Sequence, residues 1–361
     1  MENFPKKELL NIIKTGMTGS RSAFALAVGR FASKLKQTDL ELAQEMSKFL
    51  STEHVMRGAT EFAPIPVDAD SRMELVETIF PVSLEKRPIL DLPTQTTLDG
   101  VLREWDSLEE LLKEGLAPAR TLLFCGQPGV GKTLAAHWMA QELKLPLLTL
   151  NLATVMSSFL GKTGNNLRAV FDHAMTRPCV LLLDEFDAIA KRRDDETDVG
   201  ELKRLVNVLL QALDDWPANA LLIAATNHGE LLDPAVWRRF DHVLKFEPPG
   251  RQLIQEYLAE FVESEQVRVS LASLLHGESF SSVGQIVMSA RKTALLERTE
   301  LVPNLVRNAI KLRLSKGGMA KPLDGEMLLM FFEGHSRRDI ATHFGKTHPT
   351  VSSVIKRYLG E

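Results

Sequence analysis

The chain of 361 residues is longer than one typical domain, and its 44% hydrophobic and 25% charged content is that of a globular protein able to bury a core. A net charge of −4 excludes a globally basic nucleic-acid binder, and two cysteines exclude a disulfide scaffold. No apolar run approaches the ~20 residues of a membrane span and the N-terminus lacks a signal-peptide segment, so a soluble, cytoplasmic protein is expected.

Residues 1–60 read as a helical N-terminal domain. Phe24, Val28, Phe31 and Leu35 recur near helical spacing, and Leu42, Met46, Phe49 and Leu50 repeat the pattern behind a Thr38/Glu41 capping box. No chemistry-bearing residues stand out there, which suits a small bundle that docks something. Residues 61–97 carry Pro64, Pro66, Pro81, Pro88 and Pro93 and read as a linker with short extended pieces packing along the next domain.

From 98 to 249 short apolar runs alternate with helical stretches. A helix around Val101–Glu114 precedes strands at Arg120–Cys125, Leu147–Leu150, Val180–Leu183, Ala220–Ala225 and His242–Phe246. That alternation predicts an α/β fold with a parallel sheet covered by helices on both faces. Cys125 and Cys179 fall in or beside these strands and read as small core residues.

Within this region GQPGVGKT, Gly126–Thr133, follows a strand and opens a helix. Its glycines let backbone N–H groups converge on phosphate oxygens, and the helix adds its positive dipole end. Lys132 is suited to β- and γ-phosphates and the Thr133 hydroxyl to Mg²⁺. The candidate nucleotide contacts are Gly126, Gln127, Pro128, Gly129, Val130, Gly131, Lys132, Thr133 and Leu134. Downstream, Val180–Leu183 delivers Asp184 and Glu185 to the carboxyl edge of the sheet, where ligands of such sheets bind. Asp184 is the candidate Mg²⁺ ligand and Glu185 the group that polarises the attacking water, which predicts an active hydrolase. The next strand, LLIAATNH, ends in Thr226 and Asn227. Asn227 is either a turn residue or an amide that orients the lytic water. Adjacent Arg238 and Arg239 are either surface ion-pair residues or guanidinium groups delivered to a neighbour's site in a head-to-tail ring.

In order, Gly126–Thr133, LLLDEFDAI at 181–189, AATN at 224–227 and LDPAVWRRFD at 232–241 resemble the AAA family of ring-forming ATPases, over about residues 90–300. The adjacent arginines are similar to the arginine-finger segment of the spastin and katanin branch. The resemblance implies a P-loop NTPase domain, a helical lid over 250–318, ATP hydrolysis with Mg²⁺, and a hexameric homo-oligomer. It also implies that Phe159, Leu160 and Gly161 grip an unfolded polypeptide in the central pore, with 191–201 as a second loop on the same axis. An aromatic and an aliphatic side chain can clasp any extended chain without reading its sequence. Gly284 matches the small lid residue that approaches the adenosine, although Val283 and Gln285 depart from the family's usual neighbours there. The run from the N-terminal helices through FDAIAKRRDDETDVGELKR is more loosely similar to a bacterial AAA group often encoded beside subtilisin-like serine proteases. That likeness implies a protease partner or a role in defence against mobile DNA.

Residues 303–361 carry a net charge of +5 against −9 for the remainder. Their end, SRRDIATHFGKTHPTVSSVIKRYL, has Ala341, Gly345, Val351 and Val354 at the spacing of a helix-turn-helix over 319–361. The second helix is predicted to start at Thr347–Pro349. Thr347, His348, Thr350, Ser352, Ser353, Lys356 and Arg357 are the candidate DNA contacts. The segment resembles DNA-binding helix-turn-helix domains and is loosely similar to the end of the bacterial replication initiator; a helical module that touches only protein is the alternative. Three functions follow: a DNA-tethered protein remodeller, an ATPase acting on DNA itself, and a DNA-binding regulator gated by ATP. Glu185 argues against the third.

Overall fold

The computed structural model describes Phe31, Pro66 and residues 75–152, 163–188, 199–319 and 321–359, without the side chains of 163 and 199–204. The chain divides into two units, Met1–Ile65 and Pro66–Glu361. Of the first, only Phe31, a buried helical residue, is described. The helices expected over 1–60 therefore lie outside the described residues, as do Phe159, Leu160, Gly161 and most of 191–201.

The second unit contains a six-stranded sheet of β1 (Glu77–Ile79), β2 (Thr121–Gly126), β3 (Leu147–Asn151), β4 (Val180–Asp184), β5 (Leu221–Thr226) and β6 (His242–Phe246). Their spatial order is β1-β3-β4-β5-β2-β6. Strands β2 to β6 run parallel, and β1 joins the edge antiparallel to β3. The five parallel strands fall within one residue of the bounds read from the sequence. Because β2 sits between β5 and β6, the chain reverses its direction of travel across the sheet there. A crevice therefore opens at the carboxyl ends of the strands.

Helices α1 (Leu92–Asp106), α2 (Leu108–Lys113), α3 (Lys132–Leu143), α4 (Thr163–Met175), α5 (Val199–Asp214) and the single turn α6 (Pro234–Trp237) connect and cover the sheet. The sequence predicts one helix over Val101–Glu114, whereas the structure has two and starts the first at Leu92. Asp91 caps α1 by accepting from the Thr94 N–H at 3.1 Å. Pro93 sits in the first turn, where its missing N–H leaves no bond unmade. One face of the sheet presents Leu122, Phe124, Leu182, Ile223 and Leu244 to Leu98 and Val101 of α1 and to Trp138 and Met139 of α3. The alternating residues Leu123, Leu148, Leu183 and Leu222 are equally buried, so both faces are covered. Cys125 and Cys179 are buried among them, and burial raises their thiols to about 11 and about 12 respectively, so both remain protonated core residues.

Beyond β6 the chain is helical: α7 (Arg251–Leu258), α8 (Glu265–Leu274), α9 (Phe280–Glu297), α10 (Leu301–Ser315), α11 (Pro322–Phe332), α12 (Arg337–His343) and α13 (His348–Leu359). These helices share one hydrophobic cluster running from Ile254 and Leu258 through Val287 and Leu305 to Val351, Ile355 and Leu359. Helix α13 packs on α8 as well as on α11 and α12, and the Tyr358 hydroxyl donates to Asp324 of α11 at 3.2 Å. The lid expected over 250–318 and the module expected over 319–361 thus meet in a single core. The last pair of helices is well specified locally. Ser336 and Asp339 form a reciprocal capping box on α12, and that bond holds the Asp339 carboxyl below its ordinary range. Thr347 accepts from the Thr350 N–H at 3.4 Å at the start of α13, with Pro349 in its first turn, as the sequence predicts. Among the described residues no helix is long and apolar enough to cross a membrane.

Candidate nucleotide site

The loop between β2 and α3 is held by close contacts that leave room for backbone alone. A Cβ on Gly126 would lie 2.1 Å from the Phe246 carbonyl oxygen of β6. Gly129 has φ +79, and a Cβ there would lie 2.6 Å from Ser281 of α9. The Ser281 N–H donates to the Gly129 carbonyl at 3.0 Å, joining the lid helix directly to the loop. Helix α3 begins after Gly131, at φ +105, with no side chain capping it, so its first N–H groups are open to an anion.

Lys132 is 7% exposed. Its ammonium donates to the carbonyls of Gly126 at 2.6 Å and Gln127 at 3.0 Å, and to the Asn227 side-chain oxygen at 2.8 Å. Burial lowers its pKa, while Asp184, Cys125 and Asp187 oppose that shift. The Thr133 hydroxyl donates to Asp184 at 3.3 Å, so the two predicted Mg²⁺ ligands lie side by side. These groups fit a nucleotide triphosphate with its metal: an open helix end, a buried cation held on the loop carbonyls, and a hydroxyl–carboxylate pair.

Parallel register gathers the remaining candidates at the same edge. Leu183 lies opposite Ala224, and Cys125 opposite Thr226, so Asp184, Gly126 and Asn227 emerge from three adjacent strands. Glu185 is exposed at the end of β4 with φ +54. The other non-glycine residues with positive φ among the described residues, Lys144 and Arg298, sit at helix C-termini. Glu185 has no such excuse, and a conformation of this kind costs roughly 1 kcal/mol or more. It is held by the bonds on either side: the Glu185 N–H donates to Asp184 at 2.9 Å, and the Phe186 N–H to the Ala225 carbonyl at 2.9 Å.

The adjacent arginines separate. Arg239 makes bonds of 2.9 and 3.0 Å to the Asp214 carboxylate and of 2.8 Å to the Ala235 carbonyl. The Arg238 side chain is exposed and makes no hydrogen bond or ion pair among the described residues.

Beside the loop lies a cavity of about 450 Å³. It is lined by Ile89, Leu90, Asp91, Leu92, Thr94, Val130, Phe246, Glu247, Pro248, Gly250, Gln252, Leu253, His276 and Phe280. Most of these escaped the sequence reading, because they come from the linker, from β6 and from two lid segments that only the fold assembles. Gly284 does not line this cavity. A Cβ on it would lie 3.1 Å from the Tyr257 hydroxyl; Ser279 and Ser281 are the lid residues that approach Gly129, and Phe280 the one that lines the cavity.

Residues 122–248 match the family model of the ATPase family associated with various cellular activities, AAA. Over 272 residues the chain is 36% identical to y4kL, an AAA family ATPase of Sinorhizobium fredii, covering 74% of this chain and 82% of that protein. The chain belongs to the AAA family of ATPases. It is also 34% identical over 192 residues to the ATP-dependent zinc metalloprotease FtsH 1 of Symbiobacterium thermophilum, a match covering 49% of this AAA chain and 32% of that longer protein. Among solved structures, the AAA domain of FIGL-1 superimposes with a TM-score of 0.53 at 18% identity, over 65% of this chain and 85% of that one, a likeness of fold. As an AAA protein the chain is an ATPase.

On the C-terminal helices, Val351, Val354, Ile355 and Leu359 face the core, while Thr347, His348, Thr350, Ser353, Lys356 and Arg357 are exposed. Ser352 departs from the predicted contact set. Its hydroxyl is buried without a hydrogen-bond partner among the described residues, because α13 turns that position toward the protein.

Proposed function

We propose that this AAA ATPase is a cytoplasmic motor that assembles as a hexameric ring and remodels or unfolds polypeptides, with ATP and Mg²⁺ bound at Gly126–Thr133. The observation that carries the reading is Arg238, an exposed guanidinium without a hydrogen-bond or ion-pair partner among the described residues, in a chain whose phosphate-loop cation, Lys132, is buried. A head-to-tail ring gives that guanidinium a phosphate to neutralise in the neighbouring subunit. Thr133 and Asp184 would hold Mg²⁺, which would supply positive charge at the phosphates. Lys132 neutralises the terminal phosphates, Asn227 orients the attacking water, and Glu185 draws its proton. The base and ribose occupy the cavity between Asp91, Val130 and Phe280.

The likeness to FtsH 1 supports a polypeptide substrate, gripped by Phe159, Leu160 and Gly161, and a protease as a working partner. ATPase rates with an unfolded polypeptide and with duplex DNA test this. Stimulation by the polypeptide, lost in Phe159→Ala, is the expected result. Stimulation by DNA alone, unchanged in Phe159→Ala, would transfer the motor to DNA.

A second ligand is favoured by the exposed polar face of α13. Thr350, Ser353, Lys356 and Arg357 lie on one side of a helix whose other side is buried, within a segment of net charge +5. We infer that this face binds DNA through phosphates and tethers the ring. Lys356→Ala with Arg357→Ala should weaken duplex binding and lower the slope of log K against log salt by about 2. A slope equal to wild type would remove both residues from the interface.

A further inference from the structure

The turn that follows Glu185 holds a second carboxylate. Asp187 is 3% exposed, and one of its oxygens accepts both the Thr226 hydroxyl and the Asn227 N–H, each at 3.3 Å. The Thr226 hydroxyl in turn accepts the His228 N–H at 3.0 Å. One residue earlier, the Phe186 N–H is bonded to Ala225 of the same strand. The chain leaving β4 is therefore fastened to the end of β5 at two successive residues. Beyond that clasp, the Asn227 side-chain oxygen accepts from Lys132 at 2.8 Å, and the Asp187 charge favours the protonated amine of that lysine.

We infer that Asp187 is a positioning residue for ATP hydrolysis: its buried carboxylate fixes the backbone of Asn227, and so sets where the Asn227 amide stands relative to Glu185 and Lys132. Two of the bonds that Asp187 accepts converge on one site residue: they come from the Asn227 backbone and from the hydroxyl of Thr226 just before it. The two strand ends also differ in what they hold. Glu185 follows β4 in a left-handed conformation, and Asn227 follows β5 in a bend; without a cross-strand clasp their separation depends on two independent loops. The inference rests on the reading of Asn227 as a hydrolytic residue.

The test is a double-mutant cycle on the full chain, using steady-state ATPase, binding of a fluorescent ATP analogue and Tm. Asp187→Ala is expected to lower kcat by about tenfold or more while KM for ATP stays within about threefold, since nucleotide-contact residues are untouched. Asp187→Asn, which keeps one acceptor oxygen, should recover part of that loss and carries the cycle if the alanine variant does not fold. Asn227→Ala should be slow by itself. Asp187→Ala combined with Asn227→Ala should then be no slower than the slower single variant, because residues acting along one line are non-additive. Losses that multiply, or an Asp187→Ala enzyme altered only in Tm, would overturn the inference while leaving the role of Asn227 intact. An Asn227→Ala enzyme with wild-type turnover would overturn both.

Discussion

Glu185→Gln is expected to bind ATP as wild type does and to hydrolyse it about 10²–10⁴ times more slowly, the usual contribution of a positioned general base. In free-energy terms that is about 3–5 kcal/mol of barrier. Glutamine has the same shape and keeps the exposed position, so Thr133, Asp184 and Lys132 retain their contacts and binding is spared. Single-turnover hydrolysis beside a filter-binding assay separates the two quantities. Turnover at the wild-type rate would remove Glu185 from the chemistry. The backbone adds a second readout. At φ +54 a glycine is unstrained, so Glu185→Gly should abolish turnover without lowering Tm. Loss of activity with retained stability is the signature of a residue kept in a costly conformation for its side chain.

The parallel strands were legible because each is a short apolar run buried on both faces, and such runs end where the chain reaches the sheet edge. That same rule placed Asp184 and Asn227 correctly beside the phosphate loop. Strand β1 was legible only as an extended piece, since three residues carry no period and its pairing with Leu147–Thr149 is a tertiary event. Pro93 misled in the opposite direction: a proline marks a break inside a helix but an ordinary first turn behind an Asp91 cap. Helical periodicity gave Val351 and Val354 their apolar face but could not name its occupant, and the occupant includes α8 of the lid. Gly284 and Ser281 lie within one turn of α9, and only the packing angle of that helix decides which meets Gly129. Asp187 was present in the quoted motif, yet its partners Thr226 and Asn227 lie on another strand. No spacing rule within one segment reaches across that gap.

The two adjacent arginines were indistinguishable in sequence, and their separation in the structure leads to the other large effect expected of this protein. Arg238→Ala should lower ATPase by about 10³-fold or more in the assembled ring, the scale of an arginine finger, with little change in Tm because its side chain has no hydrogen bond or ion pair to lose among the described residues. Arg239→Ala removes the bond to Asp214 and should lower Tm slightly, since a part-exposed ion pair contributes about 0–1 kcal/mol. Mixing decides whether Arg238 acts across subunits. Lys132→Ala protomers have a disabled site but an intact Arg238; Arg238→Ala protomers have the reverse. Each is inactive alone, and in mixed rings some interfaces pair a wild-type site with a wild-type arginine. ATPase should therefore reappear on mixing and follow the fraction of such interfaces. A guanidinium that served its own subunit's site would leave every protomer disabled, and mixed rings would stay as inactive as their parents.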